Sequence, residues 1–409
     1  MKVWSRHRTA CLIAAVFGLV EVASGIPASA ADEPANYIVV VNGDRAVDVV
    51  SNWFDQGGVD VVAELKGSVD LVTAQLASGD LADIRQRPGV LRVEPDATIS
   101  FDSDQPISSN HSTDNWGLDR IDQSSGTLDN HYRYGSTGAG VDVYVLDTGI
   151  RRSHTEFTGR VATGYWVPSI NVGGSVRTLT STDDDCGHGT HVAGIAAGTN
   201  TGVAKAATIV PVKIFPGGSE AICEAGTTVT AAVAGINWVL ANRTVGKPAV
   251  ANLSLGVSGT NSGSGTLDDA VQNLAAVMPV IVAAGNEGSL TTAAGYIDVT
   301  SPSTAASPAC TSRKPDSDRG NQLTPSILTV AATGGVTNNT FTGTDIEAYY
   351  SNHGSCVDIF APGTDIRSTW PYAGATPNVW GGTLSDSAYY NNTGTSMATP
   401  FVTGAAAML

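Results

Sequence analysis

Strand-like and helix-like runs alternate through the middle of this 409-residue chain. The apolar, β-branched runs are 141–147, 208–214, 250–255 and 279–284, and the helical runs are 188–198, 227–242 and 266–277. Within 266–277, Leu267, Val271 and Leu274 have helical spacing, and Thr266 with Asp269 forms a capping box. Parallel strands that are buried on both faces need helical crossovers. The alternation therefore predicts an α/β fold, a doubly wound and mostly parallel sheet with helices on both faces.

Three polar side chains stand at the ends of regular elements. Asp147 ends the run 141–147, His188 opens the run 188–198, and Ser396 precedes the apolar helical stretch 397–409. Serine is a weak nucleophile at neutral pH, so it needs a base to take its proton and a carboxylate to orient that base. A helix N-terminus also offers backbone N–H groups to an oxyanion. The set predicts nucleophilic catalysis, although Asp147 alone could be a strand-end turn residue.

The motifs around these side chains are similar to those of a known family. Asp147-Thr-Gly, His188-Gly-Thr-His and Gly394-Thr-Ser396-Met-Ala-Thr-Pro400 resemble the three signatures of the subtilisin-like serine proteases, most closely the proteinase K branch. The resemblance covers roughly 106–409. It implies that Ser396 attacks the peptide carbonyl, His188 shuttles the proton and Asp147 orients the imidazole.

Features near these residues have simpler alternatives. By resemblance, Asn286 donates its side-chain amide to the oxyanion beside the Ser396 N–H, and the alternative is a left-handed turn residue. His191 suggests a His-x-x-His metal site, but no glutamate follows His188, so we interpret His191 as a packed helix residue. The acidic run 183–185 is expected to be a solvated loop, with tuning of the site beside His188 as the alternative.

Two segments are expected to form the walls of a substrate cleft. They comprise Ser254, Leu255 and Gly256 on one side and Ala283, Ala284 and Gly285 on the other. The first resembles a strand whose edge pairs with the peptide substrate, and such backbone-directed binding predicts broad specificity. The second is built of small residues and shows no acidic residue, which favours large apolar or aromatic substrate side chains.

The N-terminal quarter of the chain has two parts. Residues 1–30 combine a basic start, the apolar run 10–20 and an Ala-Ser-Ala site, which predicts an export signal; a membrane anchor is the alternative. Residues 31–105 suggest a small βαββαβ unit that resembles the inhibitor-type propeptide of the family, a ferredoxin-like α+β domain. The resemblance implies that this unit blocks the active site until it is cut away, with 102–111 as the cleaved linker. A permanent accessory domain is the alternative, and 106–409 is the expected peptidase domain.

Four cysteines remain after the export signal. In an exported protein they predict two disulfides, and the resemblance favours Cys186 with Cys223 and Cys310 with Cys356.

The resemblance also implies a structural Ca²⁺ ion. Its ligands are the carbonyl oxygens of Pro325 and Ile327 and the carboxylate of Asp358, hard oxygen donors that suit this metal. The alternative is that Asp358 caps or pairs locally.

Composition limits the partners. A net charge of −16 argues against nucleic acid or an anionic membrane surface. We expect a secreted, monomeric serine endopeptidase that acts on polypeptides and carries its own propeptide as an intramolecular inhibitor. The sequence also differs from the family: Phe401 and Thr403 replace its usual histidine and alanine, and 287–323 and 372–392 are long polar loops. Relatives continue beyond Leu409, so one rival expectation is a truncated, catalytically silent peptide-binding relative. Another is an esterase or peptide ligase, because other nucleophiles can capture the acyl-enzyme.

Overall fold

The computed structural model describes most of the chain and divides it into two compact units, Met1–Ile99 and Ser100–Leu409. The described residues are 34–65, 70–95, 103–106, 115–172, 175–256, 265–287, 308–309, 311, 326–337, 340–373 and 383–409. The expected export signal, 1–30, lies outside them. Within these ranges, no helix is both long and apolar enough to cross a bilayer.

The first unit is an antiparallel sheet with two helices. Its elements are β1 (Ala35–Val41), α1 (Asp44–Gly57), β2 (Val61–Leu65), β3 (Asp70–Leu76), a 3-10 turn (Ser78–Asp80), α2 (Leu81–Arg85) and β4 (Val90–Pro95). The strand order is β2-β3-β1-β4. Val39, Val47 and Val72 lie in its core, and Gly58 ends α1 in the left-handed conformation (φ 69°) that glycine adopts without strain.

The second unit contains the remaining elements. Its strands are β5 (Ser103–Pro106), β6 (His131–Tyr134), β7 (Asp142–Asp147), β8 (Tyr165–Trp166), β9 (Ser169–Val172), β10 (Ser175–Thr178), β11 (Thr208–Lys213), β12 (Ala249–Leu253), β13 (Val280–Ala283), β14 (Ile327–Thr337), β15 (Thr340–Glu347), β16 (Ile359–Pro362), β17 (Ile366–Ala373) and β18 (Thr383–Asn392). Its helices are α3 (Trp116–Ile121), α4 (His188–Ala197), α5 (Glu220–Glu224), α6 (Val229–Asn242), α7 (Gly265–Ala275) and α8 (Thr395–Met408), with a 3-10 turn at Thr155–Phe157.

An eight-stranded sheet forms the centre of this unit. Its order is β15-β14-β13-β12-β7-β11-β8, and β16 pairs with β14 outside that path. The pairs are parallel except for β14 with β15, which is antiparallel. The sequence prediction of an α/β fold with a mostly parallel sheet is confirmed.

The central strand β7 shows why the sequence folds this way. All six of its residues are buried, and they alternate between two cores. Val143 and Val145 join the core under α4 and α8, whereas Tyr144 and Leu146 join the core under α6 and α7. A strand covered on both faces needs apolar side chains at both odd and even positions, which explains its nearly continuous apolar sequence.

Much of the expected loop 372–392 is instead a strand. β17 and β18 form an antiparallel ribbon that packs on α4, where Ser368 Oγ and Thr369 Oγ1 donate to the carbonyls of His191 (2.8 Å) and Thr190 (2.7 Å). A Cβ on Gly194 would overlap both hydroxyls. The polar composition concealed this strand because its stability comes from docking to a distant helix. Most of 287–323 lies outside the described residues.

Part of the segment expected to be a cleaved linker forms a strand. β5 pairs with β6 in antiparallel register, from Ser103 opposite Tyr134 to Pro106 opposite His131. Gln105 Nε2 additionally donates to Asn200 O (3.0 Å). Backbone pairing is insensitive to side-chain type, so a polar sequence gave no sign of this strand.

One disulfide joins Cys186 to Cys223, with a Cα–Cα distance of 5.7 Å across 37 positions. Cys356 is also disulfide-bonded, and Cys310 lies outside the described residues, so their pairing remains a prediction. Cys186 is buried two positions before the start of α4, and Cys223 lies on α5.

We predict that Cys223→Ala lowers the free energy of unfolding by about 2–4 kcal/mol, because the open loop gains entropy in the unfolded chain. The measurement is denaturant unfolding in a Ser396→Ala background, which avoids self-digestion. Ala221→Ser on the same helix is the control. Equal stabilities for the Cys223 variant and this control would contradict the prediction.

Candidate active site

The carboxyl edge of the sheet has a topological switch point at β7. After β7 the chain places β8 and β11 on one side of it and then β12 on the other. Connections that leave a strand in opposite directions open a crevice beyond its carboxyl end, where α/β proteins bind ligands. Asp147 ends β7, Ser254 follows β12, and Asn286 follows β13 by three positions. Three of the predicted site residues therefore lie at one edge.

Asp147 and His188 form a direct pair. His188 Nδ1 lies 2.8 Å from Asp147 Oδ1 and 3.0 Å from Oδ2, and the Asp147 side chain is 1% exposed. This approach requires Gly189, since a Cβ there would overlap Gly149 O and lie 3.1 Å from Asp147 Cβ. Gly187 precedes the helix with a φ of 101°, and a Cβ there would lie 2.5 Å from the Trp370 ring. Glycines on both sides of His188 thus let α4 begin against β7.

The pair controls the protonation of the imidazole. Burial disfavours the charged ring, but the charge and hydrogen bond of Asp147, together with the charge of Asp184, outweigh burial and raise the pKa of His188. An acidic partner at Nδ1 assigns the proton of the neutral ring to that nitrogen. Nε2 is then the atom that can accept a proton.

Ser396 lies in the first turn of α8 and is hydrogen-bonded to Ser254, the residue that follows β12. Ser396 Oγ donates to Ser254 O (3.2 Å), and Ser254 Oγ donates to Ser396 O (2.9 Å). The second bond replaces a helix bond, because Pro400 has no N–H to donate to the carbonyl four positions earlier. Proline therefore frees the carbonyl of Ser396 for Ser254.

The parallel pairing of β12 with β7 brings Ser396 close to the Asp147–His188 pair. Asn252 on β12 is opposite Val145 on β7, so two positions further Ser254 comes level with Asp147. Helices α4 and α8 pack against each other on the same face of the sheet. In the described part of the chain no hydrogen bond joins Ser396 Oγ to His188. Such a bond often forms only when substrate is bound.

Thr395 fixes the orientation of the Asn286 side-chain amide. Its Oδ1 accepts hydrogen bonds from Thr395 N (2.8 Å) and Thr395 Oγ1 (2.9 Å), which assigns the opposite end of the amide as the Nδ2 donor. The positive φ of this turn belongs to Gly285 (107°) and not to Asn286. The alternative of a left-handed asparagine is therefore wrong.

The small-residue wall has an acidic neighbour that we did not expect. Ala283 and Ala284 are buried, but a Cβ on Gly285 would lie 2.5 Å from Glu287 Oε2. Asn352 Nδ2 donates to that oxygen (2.6 Å). Glu287, which lies just beyond the segment we considered, therefore packs beside Gly285, and the substrate preference of this wall stays a prediction. On the opposite wall, Leu255 is half-buried and Gly256 is exposed.

His191 is a packed helix residue. It is 0% exposed, its Nε2 donates to Tyr390 O (2.9 Å), and its ring meets Trp370 edge to face. Burial lowers the pKa of His191 to about 3, so the ring stays neutral. Among the described residues, no group of three or more His, Cys, Asp or Glu side chains is arranged to hold a metal ion. The burial and the contacts of His191 support our interpretation of it as a packed helix residue.

The acidic run 183–185 is not uniformly solvated. Asp183 and Asp185 are exposed, whereas Asp184 is 2% exposed and accepts hydrogen bonds from four neighbouring residues. The expectation of a solvated loop is wrong for Asp184. Charge patterning gives only the average environment of a run and cannot show which member turns inward.

Two of the three predicted calcium ligands are described: Ile327 is the first residue of β14, and Asp358 immediately precedes the adjacent strand β16. Asp358 Oδ2 accepts from Thr329 N (2.8 Å), and Asp358 N donates to Thr329 O (3.0 Å). Ile327 begins β14 two positions before Thr329, and Pro325 lies outside the described residues. A carboxylate beside strand carbonyls is an oxygen donor set that fits Ca²⁺.

Comparison with known proteins gives consistent relatives. The chain is 39% identical over 340 residues to the extracellular serine proteinase of Thermus sp. (strain Rt41A), covering 82% of this chain and 65% of that protein. It is 33% identical over 335 residues to a cuticle-degrading serine protease of Arthrobotrys oligospora, covering 80% of this chain and 64% of that protein. The chain thus spans slightly less than two thirds of the length of these relatives.

A solved structure and a family model point to the same family as these relatives. The crystal structure of a cold-adapted subtilisin-like serine proteinase matches with a TM-score of 0.52 at 34% identity, covering 71% of this chain and 83% of that chain. Residues 138–409 match the description of the subtilase family. The chain belongs to the subtilase family.

Proposed function

We propose that this protein is a serine endopeptidase that hydrolyses peptide bonds through Asp147, His188 and Ser396. The observation that carries the proposal is the buried Asp147–His188 pair beside the start of the Ser396 helix. A histidine held at Nδ1 by a carboxylate is a general base, and a serine at a helix N-terminus is a nucleophile with donors for an oxyanion. Family membership and relatives named as serine proteinases support the same activity.

The reaction proceeds in two halves. Ser396 Oγ bonds to the scissile carbonyl carbon while His188 Nε2 takes the hydroxyl proton, and the carbonyl oxygen becomes an oxyanion held by Asn286 Nδ2 and Ser396 N–H. Collapse of this intermediate breaks the C–N bond, and His188 returns the proton to the leaving amine. Water then attacks the acyl-enzyme with the same proton transfers, which releases the acid and restores Ser396.

The proposed substrate is an extended polypeptide of broad sequence. Its backbone adds to the edge at 254–256, and its side chain enters the space beside 283–285. The buried alanines favour apolar or aromatic side chains. The carboxylate of Glu287 already accepts a hydrogen bond from Asn352. We therefore expect basic substrate side chains to be tolerated but not preferred.

The proposed precursor has an export signal at 1–30 and an inhibitory propeptide at 31–105. Its secretion is supported by a relative named as extracellular, and its monomeric state is our expectation. The propeptide proposal is supported by the separate compactness of the first unit, which has its own core.

We also propose a structural Ca²⁺ site at Pro325, Ile327 and Asp358, in which the ion ties β14 to β16. We predict that EDTA lowers the melting temperature and that added calcium restores it, because the ion binds only the folded chain. Asp358→Asn, which keeps an acceptor for Thr329 N, should abolish this dependence, and Asp269→Asn serves as the control. An unchanged melting temperature in EDTA would contradict the proposed Ca²⁺ site.

We predict that Ser396→Ala abolishes hydrolysis of peptide substrates. Asn286→Ala should reduce kcat by about 100- to 1,000-fold, because it removes one oxyanion donor. The measurement is steady-state kinetics, with Asn242→Ala at the exposed end of α6 as the control. A kcat for Asn286→Ala within a few-fold of this control would contradict the oxyanion role.

We predict that kcat/KM rises with pH through a value above about 6.5, the ordinary pKa of histidine. The reason is that Asp147 and Asp184 raise the pKa of His188, and the protonated imidazole cannot accept the Ser396 proton. A pH–rate profile between pH 5 and pH 9 checks this. A profile flat across pH 5 to 8 would rule out His188 as the base.

A further inference from the structure

Asp184 is a buried carboxylate that takes no direct part in the proposed reaction. Its side chain is 2% exposed, although its sequence neighbours Asp183 and Asp185 are exposed. A buried charge is costly unless hydrogen bonds or an opposite charge compensate for it. The position of Asp184 therefore needs a physical reason.

Both carboxylate oxygens of Asp184 accept several hydrogen bonds. Oδ1 accepts from Cys186 N (2.9 Å), Gly187 N (2.7 Å) and Thr148 Oγ1 (2.8 Å). Oδ2 accepts from Thr190 N (2.8 Å) and Thr190 Oγ1 (2.6 Å). The carboxylate thus binds the backbone on both sides of His188 and satisfies N–H groups at the beginning of α4.

Thr148 connects this carboxylate to the other half of the pair. Its Oγ1 donates to Asp184 and accepts from Gly189 N (2.8 Å), while its backbone N donates to Asp147 Oδ1 (2.7 Å). Asp147 and Thr148 are adjacent at the end of β7. A single threonine therefore links the carboxylate partner of His188 to the helix that carries His188.

Among the described residues, no cationic side chain forms an ion pair with Asp184. In the described part of the chain, Lys213 Nζ donates to Thr148 O and to Asp183 O (2.9 Å) and lies 3.4 Å from Asp185 Oδ2, but it makes no ion pair with Asp184. Arg151 approaches through its backbone N, which donates to Thr190 Oγ1 (3.0 Å). The N–H and O–H dipoles around Asp184 stabilise its charge but do not cancel it. The electric field of the carboxylate therefore still acts on nearby titratable groups.

Two titratable groups respond to the charge of Asp184. The charge of Asp184 favours the protonated form of His188, together with that of Asp147. Asp184 and Asp185 also raise the pKa of Tyr372, although burial is the larger cause. On α4 itself, the neighbouring buried imidazole of His191 stays neutral.

We propose that Asp184 is a positioning residue that fixes the geometry of the Asp147–His188 pair. It acts through Thr148 on one side and through the first turn of α4 on the other. The kinetic consequences of this inference rest on the proposed function. The effect of Asp184 on the titration of His188 can be measured whether or not the protein is active.

The test compares Asp184→Asn with Asp183→Asn, which removes the same charge from an exposed neighbour. We expect Asp184→Asn to move the acid limb of the kcat/KM profile to lower pH. It should also lower kcat roughly tenfold, a fraction of the 100- to 10,000-fold that a positioned base contributes. Asp183→Asn should behave as wild type. Coincident acid limbs for the two variants would overturn the proposal.

Proton NMR in a Ser396→Ala background gives an independent readout. The Nδ1–H resonance of His188 should titrate at lower pH in Asp184→Asn than in Asp183→Asn. If wild type shows no hydrolysis while this shift appears, the proposed function fails and the inference survives. If wild type is active and the shift is absent, the inference alone fails.

Thr148 provides a second test should Asp184→Asn not fold. Thr148→Val removes the bridging hydroxyl and should lower kcat with little change in KM, whereas Thr148→Ser keeps the hydroxyl and should restore most of kcat. Circular dichroism checks that both variants fold. Equal kcat values for the valine and serine variants would overturn the proposed bridge.

Discussion

The close approach of α4 to the end of β7 is the constraint on which the site depends. At Gly189 any side chain would overlap Gly149 O, and Gly187 lies against the Trp370 ring. Only this approach brings His188 Nδ1 within 2.8 Å of a carboxylate that is 1% exposed. Lengthening the gap by even a methyl group would separate the base from its orienting charge, since hydrogen bonds weaken steeply with distance and angle.

A second set of buried polar contacts holds α8 to β12 and to Ser254, the residue that follows it. Thr403 Oγ1 donates to Asn252 Oδ1 (2.7 Å), and Asn252 Nδ2 donates to Ser254 Oγ (3.0 Å). Ser254 Oγ in turn donates to the Ser396 carbonyl that Pro400 leaves free. Buried networks of this kind specify one arrangement because each unsatisfied member would be costly. The departure of Thr403 from the family's usual alanine thus has a structural role in this chain.

Sequence reasoning predicted the parts of the molecule in which local pattern decides the structure. The apolar runs became β7, β11, β12 and β13, and the small-residue run after Gly187 became α4, because periodicity and burial act within a few residues. It missed the β17–β18 ribbon, the inward turn of Asp184 and the return of Glu287 toward Gly285. Each of these depends on partners distant in sequence, such as Thr190, Thr148 and Asn352, and no local pattern encodes them.

The most direct test of the account is the intact mass of the secreted product, with wild type beside Ser396→Ala. A working triad that processes its own precursor predicts that wild type loses the residues before the peptidase domain, roughly 1–105, while the variant keeps 31–105. That difference would connect the Asp147–His188 pair to Ser396 in a single chemical event. Two products that both retain 31–105 would contradict the claim that these three residues form a functioning catalytic site.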